Sequence, residues 1–81
     1  MSVRDTELLV RLKSLRTQIA REDRVPPYIV FPDRTLAEIA VRRPKTEHAM
    51  AAIRGVGPAK LERYGARFLE VVATANEPEA A

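Results

Sequence analysis

The segment that decides the fold is Ile53–Leu61, which reads IRGVGPAKL. An apolar residue, a Gly-Val-Gly turn and a new helix starting at Pro58 are typical of a helix-hairpin-helix connection. The glycines permit positive φ values and close backbone approach, and Val56 is expected to pack between the two helices. The free amides at the start of the second helix, beside Lys60, could bind a phosphate. The alternative is that the glycines only form a tight corner.

Outward from this turn, the chain carries the apolar spacing of amphipathic helices. A first helix is predicted over residues 5–24 with Asp5 as its N-cap, and shorter helices are expected to be capped by Asp33 and Thr46. Pro58 suits the first turn of the last helix, where no hydrogen bond is lost. The apolar faces of these helices predict one shared core, made of Leu8, Leu12, Leu15, Ile19, Leu36, Ile39, Ile53, Leu61, Phe68 and Val72.

A proline-bracketed segment, Pro26–Pro32, lies between the first two predicted helices and reads PPYIVFP. Its apolar residues could form a strand, but the sequence offers no second strand to pair with it. We therefore predict an ordered loop whose apolar side chains fill the helical core. Tyr28 has two open interpretations: an exposed ring on a loop stiffened by proline, or a ring packed in the core beside Phe31.

These patterns together predict an all-α protein, a small bundle of four to five helices with a helix-hairpin-helix-like turn. The domain is predicted to span residues 5–75, between an N-terminal extension at 1–4 and a flexible C-terminal tail at 76–81. A chain of 81 residues buries only about 60% of its unfolded surface, so its core must be compact.

The composition excludes several classes of site. The chain has no cysteine and one histidine, His48, so it offers neither disulfides nor the ligands of a structural zinc site. It shows no catalytic constellation and no Gly-rich nucleotide loop, and we predict that this chain is not itself an enzyme and needs no cofactor or metal. No apolar run reaches the length of a membrane span, which predicts a soluble, intracellular protein without membrane contact.

The charge is mildly basic, with 14 Lys and Arg residues against 11 Asp and Glu residues. This balance is compatible with a polyanionic partner, although composition alone favours an arginine-rich solvated surface. On the last helix Lys60, Arg63 and Arg67 are three and four residues apart and share one narrow arc, where they could contact phosphates. Glu70 could pair with Arg67 across one turn and reduce this charge.

Several segments, in this order, resemble the HRDC domain, the helicase-and-RNase-D C-terminal module. The resemblance covers roughly residues 5–75 and looks most like the bacterial RecQ branch, with RNase D as an alternative. The matching segments are Leu12–Arg16 (LKSLR), Val25–Phe31 (VPPYIVF), Asp33–Ala40 (DRTLAEIA), Gly55–Gly65 (GVGPAKLERYG) and Phe68-Leu69.

The resemblance implies an auxiliary domain of an ATP-dependent DNA helicase whose motor is a separate domain. Some HRDC domains bind single-stranded DNA weakly through an aromatic residue in the proline segment, the position of Tyr28 here, and through surrounding basic side chains. The expected partner is single-stranded or structured DNA, in the cytoplasm and nucleoid of a bacterium, and the expected state is a monomer. The candidate DNA-binding residues are Tyr28, Lys60, Arg63, Arg67, Gly55 and Gly57.

A second interpretation is a regulatory module that docks on the helicase core, a sibling domain or a partner protein. The small size of the basic patch favours this second interpretation. Glu22 and Asp23 lie just before the proline segment and would reduce the positive potential around Tyr28. The arginine bias, Tyr28 and the Gly-Val-Gly turn favour DNA binding instead.

Overall fold

The computed structural model describes residues 1–76, which form five helices and no strand. The helices are α1 (Val3–Asp23), α2 (Pro27–Val30), α3 (Asp33–Arg42), α4 (Glu47–Ala51) and α5 (Pro58–Asn76). The predicted all-α class is confirmed. The predicted flexible tail at 76–81 lies outside the described residues except for Asn76, which ends α5. Within residues 1–76, none of the helices has the length and apolar character that crossing a membrane requires.

Helix α1 begins two residues earlier than predicted, because its cap is Ser2 rather than Asp5. The Ser2 hydroxyl accepts a hydrogen bond from the Asp5 amide at 3.1 Å, and the Asp5 carboxylate accepts one from the Ser2 amide at 3.3 Å. This reciprocal capping box satisfies amides that have no partner within the helix. At the other end, Arg24 terminates α1 in the left-handed conformation, with φ of 56°.

The proline segment is a one-turn helix, α2, rather than the predicted loop. The Ile29 amide donates to the Pro26 carbonyl at 3.0 Å, and Pro27 occupies the first helical position, where a missing amide costs no hydrogen bond. Val30 and Phe31 are fully buried. The segment therefore fills the core without strand pairing, as predicted, although its backbone is helical.

A largely buried arginine connects this segment to α1. The Arg16 Nη1 atom donates to the Phe31 carbonyl at 3.0 Å and lies 2.7 Å from the Asp33 carboxylate, with only 12% of the side chain exposed. The N-cap of α3 is Pro32, so the predicted cap at Asp33 is wrong. The Asp33 carboxylate pairs with Arg16 instead, and this pairing fixes the joint between α2 and α3.

The predicted core is confirmed for eight of its ten residues, which are buried in one cluster. The other two, Leu15 and Leu61, are half-buried and pack against that cluster. Phe31 lies at its centre, with its ring edge-on to the rings of Tyr64 and Phe68 at centroid distances of 6.1 and 5.1 Å. Such edge-to-face pairs stabilise the fold beyond the contribution of the apolar area that they bury.

The Gly-Val-Gly turn is fastened to α3 through its backbone. The Arg54 carbonyl accepts a hydrogen bond from the buried Thr35 hydroxyl at 3.1 Å, and the Arg54 amide donates to the Glu38 carboxylate at 3.1 Å. Gly55 has a φ of 95°, and a β-carbon built there would meet Thr35 Oγ1. Gly57 has no positive φ and faces open space, so the expected left-handed conformation holds for Gly55 alone.

Substitution by alanine should therefore destabilise the chain at Gly55 but not at Gly57. We expect Gly55→Ala to lower the free energy of unfolding by at least about 1–2 kcal/mol, because alanine is strained at this φ and its methyl would displace the Thr35 hydroxyl. Gly57→Ala is the matched control and should change stability by less than about 0.5 kcal/mol. Urea unfolding measures both; equal losses at the two positions would contradict this account of the turn.

Candidate nucleic-acid interface

Two of the three predicted cations of α5, Arg63 and Arg67, lie against the last turn of α1. Arg67 contacts Glu22, and Arg63 contacts Asp23. The two arginines are four residues apart on α5, which places them on one face of that helix, opposite two consecutive acids. The structure thus places these two candidate cations side by side, and it places an acidic partner next to each of them.

Arg67 is held by Glu22 through both of its terminal nitrogens. Nη1 donates to Oε1 at 3.0 Å and Nη2 donates to Oε2 at 3.4 Å, a bidentate arrangement. The pairing of Arg67 with Glu70 that their spacing allowed does not form, because Glu22 on the neighbouring helix accepts from both terminal nitrogens of Arg67. The hydrogen bond from Arg67 holds the pKa of the Glu22 carboxyl below its ordinary value.

Asp23 joins Arg63 to the buried ring of Tyr64. Its Oδ2 atom lies 3.2 Å from Arg63 Nη2 and accepts a hydrogen bond from the Tyr64 hydroxyl at 3.1 Å. Burial raises the pKa of the Tyr64 hydroxyl, and its hydrogen bond to Asp23 raises it further. Asp23 therefore satisfies a core residue, whereas the Arg63 side chain is 65% exposed and can still reach a ligand.

Lys60 has an aromatic neighbour instead of an acid. Its Nζ atom lies 5.8 Å from the centroid of the Phe31 ring, within the range of a cation–π contact. Among the described residues, no carboxylate lies within ion-pair distance of this ammonium group. Lys60 is thus the predicted cation whose charge is least compensated.

Tyr28 is exposed, with 64% of its surface accessible to solvent. Because the ring is exposed, the interpretation that placed it in the core beside Phe31 is wrong. The aromatic neighbours of Phe31 are Tyr64 and Phe68 instead. Tyr28 lies on α2, immediately after Pro26 and Pro27, and α2 leads directly into Phe31 beneath Lys60. The chain therefore places the exposed aromatic segment and the start of α5 around the same buried ring.

The remaining candidate residues, Gly55 and Gly57, lie in the turn that leads into α5. Packing against Thr35 accounts for the glycine at Gly55 without any ligand. Gly57 contributes its carbonyl, which accepts a hydrogen bond from the Leu61 amide at 2.9 Å in the first turn of α5. Phosphate binding at this turn stays a prediction.

Sequence reasoning placed Glu22 and Asp23 near the site but missed their partners. Asp23 and the Tyr64 hydroxyl are 41 residues apart, and Glu22 and Arg67 are 45 residues apart. Periodicity reports contacts within one helix, so it carries no signal for such pairs. Within residues 1–76, no cluster of three or more His, Cys, Asp or Glu side chains could hold a metal ion.

A family model and relatives similar to this chain agree on one family. The model of the HRDC domain family matches residues 5–72. Over 68 residues the chain is 46% identical to the ATP-dependent DNA helicase RecQ of Pasteurella multocida and 48% identical to the ATP-dependent DNA helicase UvrD2 of Mycobacterium bovis. These matches cover 84% of this chain but only 11% and 10% of the relatives, so the chain spans about a tenth of their length.

A solved structure shows the same fold. The third HRDC domain of the D. radiodurans RecQ superposes with a TM-score of 0.87 at 30% sequence identity. The match covers 91% of this chain and 97% of that domain, so the two share their whole architecture.

The interhelical ion pairs predict how stability depends on pH. Hydrogen bonds from Arg67 and Arg16 lower the pKa of the Glu22 and Asp33 carboxyls, so the folded chain binds protons less readily than the unfolded chain. Their contribution to stability is complete above the unfolded pKa values and is lost as the pH falls below about 4.5 through the lower folded values. The urea concentration at the unfolding midpoint should decrease as the pH is lowered from about 6 to about 3. In Asp33→Asn this decrease should be smaller. An unchanged slope in Asp33→Asn would show that the Arg16 pair is not its source.

Proposed function

The chain belongs to the HRDC domain family, and on that premise we propose that it is the auxiliary DNA-binding domain of a RecQ-family ATP-dependent DNA helicase. In this proposal the motor lies elsewhere in a longer bacterial protein, and this domain binds single-stranded or structured DNA weakly as a monomer. It would tune which DNA structures the helicase acts on in recombination and repair at the nucleoid.

The observation that carries the proposal is the exposed ring of Tyr28 on α2. Every nucleic acid base has a π-face, so an aromatic side chain can stack on single-stranded DNA without regard to sequence. Pro26 and Pro27 restrict the backbone before the ring, and α2 is anchored by the buried side chains of Val30 and Phe31. A ring held in this way loses little conformational entropy on binding, which favours affinity.

The cations at the start of α5 supply the phosphate contacts in this proposal. Lys60 is free of carboxylate partners among residues 1–76, and Arg63 is mostly exposed despite its contact with Asp23. The Gly55–Gly57 turn would position the first amides of α5 near the same phosphates. Such a small set of contacts is consistent with weak binding that does not depend on sequence.

Protein docking is the second candidate function. Two of the three candidate cations face acidic partners, which reduces the positive field that would attract DNA. Ile29 is also exposed next to Tyr28, so the tip of α2 presents adjacent apolar and aromatic side chains. Such a tip could contact the helicase core or a sibling domain of the same protein.

Substitutions of Tyr28 separate the two functions. Tyr28→Ala should weaken binding to a short oligonucleotide by about 1–3 kcal/mol, because the stacking surface is lost. Tyr28→Phe is the control and should bind like wild type, since stacking uses the ring face. Both variants should melt like wild type because the ring is exposed. Fluorescence anisotropy and thermal melting measure these effects; an alanine variant that binds as well as wild type would favour protein docking.

The dependence on salt tests the phosphate contacts. With two to four phosphates engaged on a single strand, the slope of log K against log salt concentration should be about −1.4 to −2.8, and the affinity about micromolar or weaker. Anisotropy titrations with an unstructured oligonucleotide at several salt concentrations give this slope. Tight binding that does not respond to salt would contradict the electrostatic contribution.

A further inference from the structure

The Glu22–Arg67 pair uses the same atoms that a phosphate would use. Both terminal nitrogens of Arg67 donate to the Glu22 carboxylate, at 3.0 and 3.4 Å. A planar guanidinium binds a phosphate through the same fork of donors. While the pair is closed, Arg67 therefore cannot offer this fork to DNA.

The three candidate cations differ in how far they are engaged. Lys60 has no carboxylate within ion-pair distance among the described residues, and Arg63 lies 3.2 Å from Asp23 through Nη2 without the pair of hydrogen bonds that holds Arg67. Arg67 is the member of this set whose two terminal nitrogens are taken by a single acid. Its availability to DNA thus depends on Glu22.

The acids at the end of α1 have separate roles. Asp23 accepts the hydroxyl of the buried Tyr64, so its removal would leave a core polar group without its partner. Glu22 and Arg67 have side chains that are 48% and 41% exposed, and an ion pair this exposed contributes little to stability. The charge of Glu22 can therefore be removed without unfolding the chain.

We infer that Glu22 competes with DNA phosphate for Arg67 and thereby limits the DNA affinity of this face. The inference rests on the proposed DNA-binding function. Binding at Arg67 exchanges the carboxylate for a phosphate and releases Glu22 to water. The weak affinity expected of this domain then reflects a cation already occupied from within the chain, in addition to the small number of cations.

Glu22→Gln tests the inference, because it removes the charge while keeping the shape of the side chain. We expect it to raise the affinity for a fluorescent oligothymidylate about threefold, the scale of an exposed ion pair. The salt slope should become steeper by about 0.7, the value for one more phosphate contact on a single strand. Glu7→Gln is the matched control: it changes the net charge equally, about four turns earlier on α1.

Arg67→Ala in both backgrounds completes a double-mutant cycle. It should change affinity little in the wild-type chain, where Arg67 is occupied, and should abolish the gain in the Glu22→Gln chain. A gain that survives Arg67→Ala, or that Glu7→Gln reproduces, would overturn the inference because it would be an effect of net charge.

The outcomes also separate this inference from the proposed function. If wild type binds through Tyr28 but Glu22→Gln binds no better, the competition is wrong and the DNA-binding function stands. If neither wild type nor Glu22→Gln binds DNA at all, both are overturned. Melting curves should show that all the variants are folded.

Discussion

The Arg16 guanidinium makes the contact on which the rest of the candidate site depends. Through one nitrogen it binds the Phe31 carbonyl and the Asp33 carboxylate, so it fixes α1 to the joint between α2 and α3. A charged group this buried loses much of its hydration, and its Nε has no hydrogen-bond partner among the described residues. The hydrogen bond to the Phe31 carbonyl and the ion pair with Asp33 offset part of that loss, and the same two contacts hold Phe31 against α1.

The position of Phe31 then determines what surrounds it. Tyr64 and Phe68 pack edge-on against its ring, and the Lys60 ammonium lies over it. Tyr28, three residues before Phe31, is directed to the surface by the same short helix that buries Val30. One buried aromatic ring thus organises both an exposed aromatic side chain and the first cation of α5. The positions of Tyr28 and Lys60 at the surface therefore follow from the packing around Phe31 in the core.

Much of this fold could be predicted from local sequence, because apolar periodicity and capping residues act over a few positions. Thr46 was identified correctly as a cap, since its hydroxyl accepts from the Ala49 amide. The one-turn helix α2 was missed because four residues are too few to show a period. Among the candidate DNA-binding residues, the exposure of Tyr28 was one of two open alternatives, and the occupation of Arg67 by Glu22 depends on tertiary packing that no local pattern encodes.

The contrast between the two tyrosines gives the domain an intrinsic optical reporter. The chain has no tryptophan and two tyrosines, so its ultraviolet emission comes from Tyr28 and Tyr64. The Tyr64 hydroxyl donates to the Asp23 carboxylate, an arrangement that quenches tyrosine emission by accepting the proton of the excited phenol. We therefore expect emission from the folded chain to come mainly from the solvent-exposed ring of Tyr28 on α2. Spectroscopy without any label would then observe the surface of α2 separately from the core.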